Sequence, residues 1–384
     1  MQRGSNPIIV IAPYLPESVP GFGSLAAAHK IESVVRILAR SGRRIIFINS
    51  AHLHCDFAPT SASTQTIGGV KVAQLTPFTA RWRPVGKALN ILAASRLAKR
   101  LARLQPSLVW IYNSYAFEAR TALLLAQRTG CKIVLQLEDL PRARRRGLLD
   151  MKPRLDSRYL HLLESRATLI TCVNSSVESI LQSVRTLMLP YIMSPFVNTN
   201  GIHPFESQPY VLGYFGGLTR EKGASILAAL CSTLPEPWRM MVTGRGDLAP
   251  ALRRCAEQSA GRMQFFENVP DKKLFELLSQ CDVVVNPHTS IEAMGQGVFP
   301  FKVLEAIAAG RLVISTELPP CGFDLSENVI PFDGTLSGLL SALKCAPEFF
   351  VRRQPGLISI VGQVRSTLSE DAVYATLRGM EVLP

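Results

Sequence analysis

The 384-residue sequence predicts an α/β protein of two Rossmann-like domains, each organised on a parallel sheet. Three observations carry this. Short β-branched runs alternate with helix-patterned segments, as parallel βαβ units require. The alternation lapses once, into "MSPFVNTNGIHPFESQP" (193–209), rich in Pro, Asn and Ser, and then restarts. The length also exceeds what one hydrophobic core usually organises. The reading is a first domain at 1–194, a linker at 195–209 and a second domain at 210–384.

In the first domain, strands are expected at "PIIVIA" (7–12), "RIIFINS" (44–50), "SLVWIYN" (107–113), "KIVLQLE" (132–138), "LITCVN" (169–174) and "TLMLPY" (186–191), with helices near 25–41 and 116–129. The polar run "TSASTQT" (60–66) reads as a surface loop. In the second domain the strands are "YVLGYFG" (210–216), "RMMVTG" (239–244), "MQFFEN" (263–268), "DVVVNP" (282–287) and "LVISTE" (312–317). Helices near 222–233, 248–258 and 271–279 alternate with them, and another begins near Pro300 in "FPFKVLEAIAAG" (299–310). Residues 334–384 read as helices broken at Pro347 and Pro355, the last of them packing back on the first domain.

Composition narrows the class. With 47% apolar and 18% charged residues the chain has the balance of a folded protein. Its longest apolar runs fall far short of the roughly 18 residues of a membrane span, so neither a spanning helix nor a signal peptide is expected. The eight cysteines lie at least 24 residues apart, which leaves no CxxC pair for zinc or redox chemistry and fits a reducing, cytoplasmic compartment. Charge is uneven: residues 1–194 carry 26 Lys and Arg against 10 Asp and Glu, whereas 195–384 carry 16 against 19. The first half is therefore expected to face something anionic. Charge alone would admit nucleic acid, but no RNA- or DNA-binding motif accompanies it, so nucleic acid is not among the expected partners.

Two glycine-rich stretches follow strands. "PGFGSLA" (20–26) puts Gly21, Gly23 and Ser24 ahead of a helix and reads as a substrate-facing loop, the alternatives being a dinucleotide turn or a plain turn. "YFGGLTREKGASIL" (214–227) ends a strand in two glycines, the second Gly217, and adds Arg220 and Lys222 before a helix. Bare backbone, a helix N-terminus and an ammonium together suit a diphosphate, while an ordinary βα turn remains open. In "FPFKVLEAIAAG", Lys302 lies at the positive end of its helix and so opposes the dipole, with Glu305 one turn on. A bound anion beside Lys302 and two vicinal hydroxyls on Glu305 explain both, as does an i,i+3 ion pair.

These segments resemble the nucleotide-sugar-binding domain of GT-B glycosyltransferases of the family-4-like type (glycosyl transferases group 1). "GYFGGLTREKG", "VTGRGDL", "DVVVNPH" and "PFKVLEAIAAGRLVIST" carry the resemblance over about 210–317. It implies the GT-B fold, two Rossmann-like domains with parallel sheets facing across a cleft. It implies further that Lys222 contacts the donor diphosphate, that Lys302 lies near the phosphates, that Glu305 holds the ribose, and that Gly244 and Gly246 form the base-side loop. His288, after "DVVVNP", is expected to line the same site. The chain departs from the family at Gly297, where many members carry the first glutamate of an Ex7E pair, and at Gly217, where many carry arginine.

At the end of "KIVLQLE" (132–138) the resemblance places Glu138 and Asp139 as the catalytic carboxylates facing the sugar, against the alternative that Glu138 caps strand-end N–H groups. No metal or other cofactor is expected. The implied function is a retaining glycosyltransferase moving a sugar from a UDP- or GDP-sugar to a glycan or lipid-linked acceptor in polysaccharide or cell-envelope synthesis. The alternatives are an epimerase or hydrolase of the same fold, or an inactive partner subunit.

Two basic segments point to the membrane surface. "RWRPVGKALNILAASRLAKRLARL" (81–104) aligns Leu89, Leu92, Ala93, Leu97, Leu101 and Leu104 on one helical face and Lys87, Arg96, Lys99, Arg100 and Arg103 on the other. "PRARRRG" (141–147) adds four arginines. Together they predict a peripheral contact with anionic membrane at its cytoplasmic face, against the alternative that the helix packs on its own sheet. In "AHLHCD" (51–56), His52 and His54 share a strand face with Cys55 and Asp56 adjacent, with no third specific ligand for a metal.

Overall fold

The computed structural model describes residues 6–15, 21–22, 25–53, 57–58, 60–141, 151–181, 184–199, 201–202, 204–267, 269–288 and 298–383. The chain forms two compact units: Met1–Ile192 with Glu370–Pro384, and Met193–Ser369.

The strands of unit 1 are β1 (Ile8–Ala12), β2 (Gly21–Phe22), β3 (Ile45–Asn49), β4 (His52–Leu53), β5 (Phe57–Ala58), β6 (Ser61–Ile67), β7 (Val70–Thr76), β8 (Thr79–Ala80), β9 (Leu108–Tyr112), β10 (Lys132–Leu137), β11 (Leu169–Cys172) and β12 (Thr186–Met188). Its helices are α1 (Leu25–Ala39), α2 (Arg83–Ala102), α3 (Ala116–Thr129), α4 (Met151–Glu164) and α5 (Ser175–Glu178). The main sheet runs β12-β11-β10-β9-β1-β3-β7-β6. β1 lies parallel between β3 and β9, with Ile8 opposite Ile45 and Leu108. Every residue of β1, β3, β9 and β11 is buried. Helices cover both faces, which is why these strands read as unbroken apolar runs.

In unit 2 the strands are β13 (Tyr210–Phe215), β14 (Trp238–Thr243), β15 (Met263–Phe266), β16 (Val283–Asn286), β17 (Leu312–Ser315) and β18 (Val329–Pro331). The helices are α6 (Ser225–Thr233), α7 (Ala249–Gln258), α8 (Asp271–Ser279), α9 (Lys302–Ala308) and α10 (Leu336–Leu368). The sheet order β15-β14-β13-β16-β17-β18 is parallel throughout. From β13 the chain steps to β14 on one side and later to β16 on the other. A crevice therefore opens at the carboxyl ends of β13 and β16, where open α/β sheets bind ligands. The segment read as a linker is held to this unit: the Phe205 ring packs on Tyr210 at 5.1 Å and Phe350 at 5.7 Å, and the Asp282 carboxylate accepts from the Phe205 N–H at 2.5 Å. After α10 comes α11 (Glu370–Gly379), which returns to unit 1, where Arg36 Nε on α1 donates to Glu370 Oε1 at 2.6 Å.

Three local expectations are corrected. The polar run at 60–66 is strand, not loop: β6 pairs antiparallel with β7 through the Gly68–Gly69 turn, both glycines at positive φ. Its Ser, Thr and Gln side chains are exposed because it is the edge strand, and the Gly-Gly pair was the hairpin signal. Pro347 and Pro355 do not break the C-terminal helix, since both lie inside α10. Leu339, Leu343, Ala346, Phe350, Leu357, Val361 and Val364 are buried along it on both sides of the prolines, and that continuous packing outweighs the lost hydrogen bonds. Finally, α2 is turned differently from its sequence pattern. Ala94, Ala98 and Leu101 are buried, whereas Leu89, Leu92 and Leu104 are exposed. Small residues let α2 pack closely on α3, and close packing decides which face turns inward. No helix among the described residues is long and apolar enough to cross a membrane.

Candidate functional site

At the crevice of unit 2, two glycine-lined turns interlock. Leu218 N–H donates to the Arg245 carbonyl at 2.7 Å and Leu248 N–H to the Leu218 carbonyl at 3.1 Å. A Cβ on Gly244, at φ +155°, would lie 1.8 Å from the Gly216 carbonyl oxygen, and one on Gly246 2.3 Å from that of Leu218. Only glycine allows the turns after β13 and β14 to meet backbone to backbone. Gly217 and Arg220 are exposed on the first turn and Lys222 is half-buried. α6 starts at Ser225, a few residues later than its sequence pattern indicates.

α9 begins at Lys302, with Pro300 just ahead of it, so the helix starts later than the proline suggests. Lys302 is only 9% exposed, and its ammonium lies 4.3 Å from the centre of the Tyr214 ring. Burial, then the charge of Lys222, pull its pKa down to about 7, while Glu305 opposes the shift. His288, at the end of β16, is buried, and burial followed by the charges of Lys302 and Lys222 holds its imidazole neutral well below its usual range. Its carbonyl accepts from Thr316 Oγ1 at 2.7 Å, beyond β17. The structure thus brings Gly217, Lys222, Gly244, Gly246, His288, Lys302 and Glu305 to one end of one sheet. The arrangement offers two mutually repelling ammonium groups, a half-buried carboxylate and bare backbone, a combination suited to an anion carrying neighbouring hydroxyls. Gly297 lies outside the described residues.

Tyr214 was not foreseen. It belongs to an apolar strand run, yet its hydroxyl donates to the Gly217 carbonyl at 2.6 Å while its ring supports Lys302. The signal was a tyrosine two residues before the first glycine of the double-glycine turn.

Unit 1 has its own cluster at the carboxyl ends of β9 and β10. Asn113, at φ +59°, accepts with one oxygen from the N–H groups of Glu138 at 2.7 Å and Asp139 at 3.1 Å. The same amide donates to Tyr115 Oη at 3.1 Å and Asp139 Oδ2 at 3.3 Å. Glu138 is buried, pairs with Lys30 of α1 and accepts from Gln136 Nε2 at 2.8 Å, and Gln136 in turn accepts from Trp110 Nε1 at 3.1 Å. Asp139 is exposed. Glu138 is thus fixed in place with its charge matched. No sequence signal links Lys30 to it across 108 positions. Gly21 lies in β2, paired with Leu53 of β4, while Gly23, Ser24, His54, Cys55, Asp56 and the arginines of 142–146 lie outside the described residues. Among the described residues no group of three or more His, Cys, Asp or Glu is placed to hold a metal.

Residues 209–340 match the family model described as "Glycosyl transferases group 1". These residues are a glycosyltransferase domain. They fall within unit 2 and include both interlocked turns and α9. The chain has the GT-B fold, and similar solved structures span its whole length. They include sucrose-phosphate synthase from Thermosynechococcus elongatus, at 13% identity, TM-score 0.65 and 98% coverage of each chain. A UDP-forming α,α-trehalose-phosphate synthase from Burkholderia xenovorans, in complex with glucose-6-phosphate, has 12% identity, TM-score 0.68 and coverage of 98% of this chain and 100% of that one. HepE from Anabaena, in complex with UDP, has 12% identity, TM-score 0.64 and coverage of 98% and 99%. A search of curated protein sequences gives no match. The matched domain is of the glycosyltransferase class, as the sequence resemblance implied.

Proposed function

We propose that this glycosyltransferase moves a sugar, with retention, from a UDP- or GDP-sugar to a glycan or lipid-linked acceptor in polysaccharide or cell-envelope synthesis at the cytoplasmic membrane face. The observation that carries the donor half is the buried ammonium of Lys302 at the β13/β16 crevice, its charge suppressed by burial and by Lys222. A diphosphate between the two lysines would relieve both penalties. Glu305 would accept from the two ribose hydroxyls, and the Gly244–Gly246 turn would lie against the base. Solved structures of the same fold hold UDP in one case and glucose-6-phosphate in another, which supports a nucleotide-sugar donor and a sugar-bearing acceptor.

In the reaction the bond from the anomeric carbon to the diphosphate oxygen breaks and a bond to the acceptor hydroxyl oxygen forms, while the hydroxyl proton passes to the departing phosphate. Lys222 and Lys302 stabilise the negative charge that grows on that leaving group. In unit 1, Glu138 and Asp139 are proposed to hydrogen-bond sugar hydroxyls. The basic surface of that unit, residues 81–104 and 141–147, is proposed to face anionic membrane.

Calorimetry with UDP and GDP tests the donor half. Heat with one nucleotide and a large loss of affinity in Glu305→Ala are expected; no binding of either nucleotide, or unchanged affinity in Glu305→Ala, sinks the assignment. Incubating UDP- and GDP-sugars with and without acceptor lipids tests the reaction. Turnover to a new sugar isomer or free sugar without acceptor identifies an epimerase or hydrolase instead.

A further inference from the structure

We propose that the outward face of α2 docks on an anionic lipid bilayer, with Trp82, Val85, Leu89 and Leu92 entering the interface and Arg96, Lys99, Arg100 and Arg103 resting on acidic headgroups. The proposal deepens the membrane contact of the proposed function and rests on that part of it, but not on the donor chemistry.

The outward stripe follows helical spacing. Val85, Leu89 and Leu92 stand at i, i+4 and i+7, and Arg96, Lys99, Arg100 and Arg103 continue the row at i+11, i+14, i+15 and i+18. All seven are exposed, Leu92 to 68%, and Trp82 at the N-cap is 73% exposed. The opposite side is built from Gly86, Ala94, Ala98 and Leu101, which are buried. A helix that puts its small residues inward and its Trp, Val and two Leu outward reverses the usual pattern, and a contiguous apolar patch of this kind marks a surface that meets something. The amphipathicity runs along the helix, apolar for the first turns and basic after them, over a length of about 30 Å.

Charge selects the occupant. The whole stretch 81–104 contains no Asp or Glu. A second copy of this face would set two acid-free basic rows against each other, which like-charge repulsion opposes. Nucleic acid would answer the cations but offers the Trp82–Leu92 patch no apolar partner. A bilayer with acidic headgroups answers both, because Trp and aliphatic side chains partition to its interface and each nearby Lys or Arg gains from its surface potential.

The chain carries its own probe. Of its three tryptophans, Trp110 and Trp238 are buried in the sheets and Trp82 is exposed, so an emission shift on docking reports on α2. The experiment adds the full chain, without nucleotide, to vesicles of phosphatidylcholine alone and of an equal mixture with phosphatidylglycerol. Expected are sedimentation with the mixture only and a blue shift that Trp82→Phe abolishes. Leu89→Glu with Leu92→Glu should lower the partition coefficient more than about tenfold. Each cation replaced by glutamine among Arg96, Lys99, Arg100 and Arg103 should lower it about fivefold at low salt. Both variants should keep the wild-type melting temperature and UDP affinity, since the altered side chains are exposed and lie in unit 1. Equal binding to neutral vesicles, or undiminished binding of the leucine variant, overturns the proposal. The same blue shift with duplex DNA in place of lipid would reassign the face to a polyanion. If UDP fails to bind while the vesicle result holds, the donor reading falls and this one stands.

Discussion

Replacing Lys302 by methionine keeps the length of the side chain and removes its charge, and the consequence for nucleotide binding carries a pH signature. In the unliganded protein, burial and Lys222 bring the Lys302 pKa to about 7, against the opposing pull of Glu305. Near pH 7, then, about half the molecules carry the charge, and at pH 9 about one in a hundred. The diphosphate itself changes little across that range, being about nine-tenths ionised at pH 7 and fully ionised at pH 9 for a last pKa near 6. If the bound diphosphate restores the Lys302 pKa to between about 9 and 10, the Kd for UDP should rise roughly 25- to 50-fold from pH 7 to pH 9, about 2 kcal/mol. Binding at pH 8 should take up about 0.8 to 0.9 proton, which calorimetry in buffers of different ionisation enthalpy measures directly. Lys302→Met should bind more weakly at pH 7 and lose the slope. Stability moves the other way. The unfolded chain holds this proton up to about 10.5 and the folded chain releases it near 7, so the burial cost is complete below pH 7 and is relieved by about 1.4 kcal/mol per pH unit above it. Lys302→Met should accordingly melt higher than wild type near neutrality. A wild-type Kd that changes by less than about threefold over this range, or a slope that persists in Lys302→Met, refutes the reasoning.

Gly244→Ala puts a methyl 1.8 Å from the Gly216 carbonyl and should cost about 2–4 kcal/mol, whereas Gly217→Ala, whose Cβ meets only Lys222 Cγ at 3.6 Å, should leave the melting temperature nearly unchanged. Asp156→Ala removes the carboxylate that accepts the Ala116 N–H at 3.0 Å, at the start of α3, and pairs with Lys152, for an expected loss of about 1–3 kcal/mol in denaturant unfolding. Lys30→Met strands the buried Glu138 without its counter-charge and should destabilise by about 2–4 kcal/mol, and Glu138→Gln on top should recover part of that loss. Strict additivity of the two would show that the pair is not coupled.

The alternation of "PIIVIA", "RIIFINS" and "SLVWIYN" made the parallel part of the first sheet legible, because strands buried on both faces leave apolar runs that no other element explains. In unit 2, Lys222, Lys302 and Glu305 were legible because a charge in an apolar helix start or a glycine-lined turn is locally anomalous. What escaped was what depends on distant partners. The placement of Lys30 against Glu138 and of Asn113 beneath both strand-end carboxylates arises only when β9, β10 and α1 come together. The orientation of α2 escaped for a different reason. Periodicity shows that a helix has two faces, but which one is buried was decided by how closely Ala94 and Ala98 let it approach α3, and the larger apolar face lost.

The departure at Gly217 and the suppressed charge of Lys302 bear on one another. A Cβ on Gly216 would lie 3.5 Å from Lys302 Nζ, and one on Gly217 3.6 Å from Lys222 Cγ, so the two lysine stems run directly over the bare backbone of the turn. An arginine at 217, as many family members have, would have to pass the Lys222 stem. On the proposed reading the cation absent from the turn has its counterpart in Lys302, delivered from α9 instead. The exchange is not neutral in chemistry. A guanidinium keeps its proton at any pH the enzyme meets, whereas an ammonium yields it when buried. On that reading a donor site that depends on Lys302 titrates near neutrality where an arginine-based one does not, and the same substitution that weakens the sequence match would make the site pH-dependent.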